Sequence, residues 1–198
     1  MTNLPDSLRL EEYRALRETI RQRGTIRVLV AALTFSAWAA AILTVTALSS
    51  IPLVGLVPLI VLSAGFEIVF ALHVGVERIG RYLQVHHEPA TEGAATWEHA
   101  AMRFSAPGSG SHPLLPVLFL AAGLMNLALG TLLQLDVIDA TSVQSPAEWV
   151  PFVALHTLFY IRVLLAVRFA AAQRPRDLKE FERLRSEARQ TTSVDPKF

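Results

Sequence analysis

Four long apolar runs constrain this chain more than any other feature: Val28 to Leu48, Ile51 to about His73, Leu114 to Leu135, and Trp149 to about Ala171. About 20 helical residues cross a hydrocarbon core of roughly 30 Å, and each run reaches that length. A small soluble core offers shorter apolar stretches with more charge among them. The runs therefore predict an all-α, polytopic membrane protein with four transmembrane helices.

Charge sets the expected topology. With 18 Lys and Arg against 17 Asp and Glu, the chain carries no nucleic-acid footprint. The distribution of these charges is uneven. Arg9, Arg14, Arg17, Arg21, Arg23 and Arg27 precede the first run, and Arg168, Arg174, Arg176, Lys179, Arg183, Arg185, Arg189 and Lys197 accompany or follow the last. Between the third and fourth runs stand Asp136, Asp139 and Glu148, with no Lys or Arg. By the positive-inside rule both termini are expected in the cytoplasm, together with the loop that holds Arg78, Arg81 and Arg103.

The expected organisation is a cytoplasmic amphipathic segment over 1–25 and a first antiparallel hairpin over 26–75, with spans 28–48 and 51–73. A cytoplasmic loop over 76–112, a second hairpin over 113–172 with spans 114–135 and 149–171, and a charged cytoplasmic tail over 173–198 complete it. The first run lies behind a charged helical segment and leads at once into another span, so it reads as retained rather than as a cleaved signal. An excess of Ala and Arg over Ile and Lys fits a GC-rich bacterial source and hence an inner membrane.

Local signals fill in the connections. Leu10, Tyr13, Leu16 and Ile20 recur at helical spacing among Arg and Glu, which predicts an amphipathic helix on the membrane surface or docked to a partner. Pro52 suits a first helical turn, whereas Pro58 is expected to kink span two unless a neighbour satisfies the freed carbonyl. Ser145 to Glu148 has capping-box spacing, with Pro146 at the first helical position. In the loop, TWEHAAMRF reads as a short helix and SAPGSGSHP as a connector, and DLKEFERLRSEAR in the tail reads as another short helix. Shifted by 93 positions, Val57, Pro58, Leu62, Phe66, Ile68 and Leu72 align with Val150, Pro151, Leu155, Phe159, Ile161 and Leu165, a faint sign of hairpin duplication.

Polar side chains within the spans are the candidate site residues. From the outer end of each helix, Glu67 lies roughly 24 Å deep and Arg162 roughly 20 Å deep, close enough to form an intramembrane pair. Two alternatives stand beside it: Arg162 reaching towards the interface, and a protonated Glu67. If the pair forms, it serves as a latch or as part of a path. Past Glu67 the same helix carries His73, Glu77, Arg78 and Arg81, a polar stripe at the cytoplasmic mouth of the bundle. Ala122, Asn126 and Gly130 recur every fourth residue, which permits close helix packing within the subunit or in a dimer. His156 and Tyr160 lie one turn apart and are expected to share a hydrogen bond.

Enzyme signatures are missing from the chain. It has no cysteine, which removes disulfides, thiolate metal sites and redox dithiols. No nucleophile elbow, Walker loop or HExxH helix occurs. His73 and His156 belong at opposite membrane faces and cannot share one haem. His86, His87, Glu88, Glu98 and His99 lack a paired metal-ligand spacing. No cofactor or metal is expected.

Two functional classes remain. One is a structural or accessory subunit that binds the lipid bilayer, anionic headgroups, a protein partner or its own copies. The other is a small oligomeric transporter or channel using Glu67, Glu77, Arg78 and Arg81 with Arg162 and Asn126.

Overall fold

The computed structural model describes residues 6–48, 52–87, 114–135 and 146–194. Every element in it is helical: α1 (Asp6–Leu48), a short 3-10 helix (Pro52–Gly55), α2 (Leu56–His86), α3 (Leu114–Leu135) and α4 (Pro146–Val194). All four α-helices are long and apolar enough to cross a membrane. Helix is the expected state for such runs, because hydrocarbon offers backbone N–H and C=O groups no partner outside the segment.

Helix boundaries differ from the sequence expectation in three places. The segment around Leu10 to Ile20 is not a separate surface helix but the first part of the 43-residue α1. At about 1.5 Å per residue α1 is about 64 Å long, twice the hydrocarbon thickness. The tail is likewise part of the 49-residue α4, which runs through Pro175 without a break. That proline removes one backbone donor, the helical partner of the Ala171 carbonyl, and Ala171 is an exposed residue at the end of the apolar run. Third, α2 starts at Leu56 and places Pro58 in its first turn, where a missing N–H costs nothing, so no kink is required.

Pro146 opens α4 as the sequence leads one to expect, and Asp6 sits in the first turn of α1, where the helix dipole favours an acid. Ser145 of the capping box, the loop segments at 96–104 and 105–113, and Asp136 and Asp139 lie outside the described residues.

The described residues form two compact units. One takes in those within Met1–Ile26, Leu72–His112 and Phe169–Phe198, and the other those within Arg27–Ala71 and Pro113–Arg168. The second unit holds the apolar core. Leu62, Phe119 and Val163 are fully buried there, and Ala31, Phe66 and Phe159 join them. Phe119 packs between Phe35, with ring centroids 4.9 Å apart, and Phe66, edge-on at 5.4 Å. Small residues let helices close up around these rings: a Cβ added at Gly65 would overlap the Thr34 side chain.

The surface of the second unit is apolar as well. Leu43, Ile60, Ile68, Met125, Val150 and Leu158 are all more than half exposed. A soluble protein rarely shows contiguous apolar surface on this scale, whereas lipid satisfies it. Of the positions related by the 93-residue shift, Phe66 and Phe159 are both buried, and Ile68 and Ile161 are both exposed. Leu62 and Leu155 differ, the first being buried and the second exposed.

Candidate functional site

Arg162 of α4 donates from Nη2 to Glu67 Oε2 of α2 at 2.6 Å. The guanidinium also lies 5.4 Å from the Phe70 ring centroid and 6.0 Å from that of Phe66, within reach of their π faces. Helix rise separates Glu67 from Leu56 by about 16 Å and Arg162 from Trp149 by about 20 Å, so both sit well inside their apolar runs. Yet the side chains remain 48% and 45% exposed. The pair is on the outside of the unit, amid residues that lipid would cover.

That position is the unexpected part. A charge at the centre of a membrane helix costs about 2.5–3.5 kcal/mol on insertion scales, and such residues normally face protein or a water-filled cavity. The pair borders a groove of about 440 Å³ between α2 and α4, walled by Leu56, Ile60, Ser63, Leu155 and Leu158. The Ser63 hydroxyl is turned back onto the Leu59 carbonyl, so the groove is apolar up to its charged edge.

A second polar set is fully interior. Asn126 is 3% and His156 1% exposed. Asn126 Nδ2 donates to the Gly55 carbonyl at 3.1 Å and to His156 Nε2 at 2.9 Å. His156 Nδ1 in turn donates to the Phe152 carbonyl at 2.8 Å. The three contacts fix one arrangement: a carbonyl only accepts, so Nδ1 carries the proton and Nε2 is the acceptor. Gly55 immediately precedes α2, so the bond from Asn126 ties α3 to the N-terminal end of that helix.

Ala122 is buried on the face that carries Asn126, and a Cβ at Gly130 would approach Phe152 Cζ to 2.7 Å. This small-residue face packs within the subunit. The expected bond between His156 and Tyr160 is not made, because both ring nitrogens of His156 are already engaged. The Tyr160 hydroxyl is buried and has no hydrogen-bond partner among the described residues.

The polar stripe on α2 belongs to the other unit. Arg81 is 4% exposed and donates from Nη1 to Asp177 Oδ2 at 2.8 Å, with Glu77 at 3.5 Å from its Nη2. Arg78 approaches the same Asp177 at 3.6 Å. One carboxylate thus serves two arginines, and His73 lies half-buried one turn before Glu77.

The next residue, Tyr82, donates to Glu12 Oε1 at 2.8 Å, and His87 Nε2 lies 3.4 Å from the other Glu12 oxygen. Burial, then the bond to Glu12, pushes the Tyr82 hydroxyl up to about 12, so it stays a donor. The Tyr82 ring stacks on His86 at 4.5 Å and meets Phe181 edge-on at 5.6 Å. Sequence reasoning missed Asp177, Glu12 and Tyr82. No local spacing reports them, since Arg81 and Asp177 are 96 residues apart and Tyr82 and Glu12 are 70 apart.

Among the described residues no group of three or more His, Asp or Glu side chains is arranged to hold a metal ion. His86 and His87 are described, whereas Glu88, Glu98 and His99 are not. The four apolar helices are consistent with a multi-pass membrane helical bundle. No family model, curated protein or solved structure matches the chain.

Proposed function

We propose that this chain is a bacterial inner-membrane protein that crosses the bilayer four times as two antiparallel hairpins, with both termini cytoplasmic. It works as a structural or accessory subunit or scaffold, through association with a protein partner, lipid or its own copies. The Arg-rich ends and the acidic segment between spans three and four support the orientation.

One observation carries the association reading: the Glu67–Arg162 pair lies half exposed on a surface that is otherwise apolar. Lipid tails cover Leu and Val without loss but offer a charge nothing, so this face is built for cover by something polar. The transporter reading has less to work with. Asn126 Nδ2 and both ring nitrogens of His156 are engaged with each other and with backbone, and Arg81 is held by Glu77 and Asp177.

Two experiments test the proposal. Reporter fusions after Gly110 and after Ala140 should report cytoplasm and exterior, and the opposite pattern overturns the orientation. Tagged protein extracted in mild detergent should run as a stoichiometric assembly heavier than the monomer, without ion or proton flux in liposomes. A lone monomer that conducts protons would replace the scaffold with a transporter.

A further inference from the structure

We infer that the occupant of the α2–α4 groove is a second copy of this chain, docked through a two-fold contact in which each Arg162 also meets the partner's Glu67. The inference rests on the association reading above and names its partner.

Charge complementarity carries it. Glu67 and Arg162 stand side by side at one level, one negative and one positive, on the same exposed face. A two-fold axis lying in the contact plane, along the helices and between the two charges, lays minus over plus and plus over minus, so the surface is complementary to itself. Two adjacent pairs become a ring of four alternating charges, shielded from lipid on both sides.

The hydrogen-bond inventory leaves room for this. Among the described residues Arg162 uses one guanidinium nitrogen, on Glu67 Oε2, while a guanidinium has five N–H donors and a carboxylate two oxygens. The rings of Phe66 and Phe70 hold the guanidinium in place, so little side-chain freedom is lost on docking. The walls of the groove suit a helix: Ser63 and Ala64 are small, and Ile60 and Leu158 flank them.

Other occupants fit less well. An anionic headgroup seeks net positive charge, and Glu67 already offsets Arg162. A different membrane protein would need to bring its own matched pair of charges to the same depth, which a second copy brings by construction.

Because the chain has no cysteine, single substitutions give clean crosslinks. In native membranes under mild oxidation, Ser63→Cys and Leu158→Cys, one turn from Glu67 and Arg162, should form disulfide dimers several-fold more than Met125→Cys on the exposed face of α3. Equal crosslinking at Met125, or none at the groove, overturns the inference.

Charge reversal supplies the second arm. Glu67→Arg alone and Arg162→Glu alone each give a face of one sign and should fail to self-associate. Co-expressed, they should form a mixed dimer, captured through different tags. A monomeric protein, a mixed pair that stays apart, or crosslinking of the groove to a photoreactive phospholipid each sinks the second copy. If the protein instead co-purifies with a different partner and shows no flux, the scaffold reading stands and only this inference falls.

Discussion

Arg162 and Glu67, 95 residues apart in sequence, meet at 2.6 Å across two helices, and nearly half of each side chain faces outward. In water such a pair contributes little, since exposed ion pairs are worth about 0–1 kcal/mol. Facing lipid, its members depend on each other far more, because removing one leaves the other charged in hydrocarbon. Under the proposed membrane placement, a contact that would be decorative on a soluble surface keeps two charges from standing alone in lipid.

The interior network predicts a coupled pair of substitutions. Asn126→Leu removes the side-chain donor that reaches the Gly55 carbonyl and His156 Nε2 and should lower unfolding stability in detergent by about 1 kcal/mol, as for interhelical hydrogen bonds in other membrane bundles. The His156→Phe, Asn126→Leu double variant should cost less than the sum of the two singles. A double-mutant cycle in detergent measures this, and strict additivity would mean that the two side chains do not interact.

Two glycines should respond in opposite ways to the same added methyl. At Gly65 a Cβ overlaps Thr34, so Gly65→Ala should cost about 1–3 kcal/mol by overpacking, relieved by Thr34→Gly. At Gly24 nothing lies within 4 Å, and Gly24→Ala in the middle of α1 should be neutral or stabilise by about 0.5–1 kcal/mol. Thermal unfolding of both variants in one detergent checks the contrast.

Asp177 should matter more than its place in a charged tail suggests. Asp177→Ala leaves Arg81, 4% exposed, without its 2.8 Å partner and should cost about 3 kcal/mol. Glu77→Gln removes a 3.5 Å contact from a carboxylate that is 42% exposed and should cost under about 1 kcal/mol. Hydrogen exchange in the segments around 72–87 and 169–190 would report both, with faster exchange in Asp177→Ala.

Acid should loosen the same unit. Burial holds His86 below its ordinary 6.5, with Arg185 and His87 adding to the effect and Glu12 opposing it. With the folded value depressed, the unfolded chain binds the proton more readily. The stability contribution is therefore complete above 6.5 and is lost as pH falls from there towards the lowered folded value. Unfolding followed between about pH 7.5 and 5 should show this slope. His86→Phe, which keeps the rings against Tyr82 and Phe181, should flatten it.

What the sequence made legible was whatever has a length or a period. Four apolar runs announce four helices, and depth along each run brings Glu67 and Arg162 to one level before any packing is known. The exposure of that pair was not legible, because depth says nothing about which way a helix face turns. The arginines of α2 read as a stripe on one helix, yet Arg81 is held largely by Asp177, 96 residues away, and no local pattern encodes so distant a partner. Helix ends were misread where charge begins: the apolar pattern stops near residues 25 and 172, but helix geometry needs no apolar residues, and α1 and α4 continue into charged sequence. His156 lost its expected partner Tyr160 because Asn126 and the Phe152 carbonyl leave it no nitrogen to share.

The most direct measurement compares Glu67→Gln, Arg162→Ala and the double variant for folded, assembled yield in detergent and for ion or proton flux in liposomes. A pair that stabilises and covers an association face predicts a several-fold loss of assembled protein in Arg162→Ala, which strands the Glu67 charge, partial recovery in the double variant, and no flux from wild type. Wild-type flux that disappears in Glu67→Gln while assembled yield stays unchanged would contradict it.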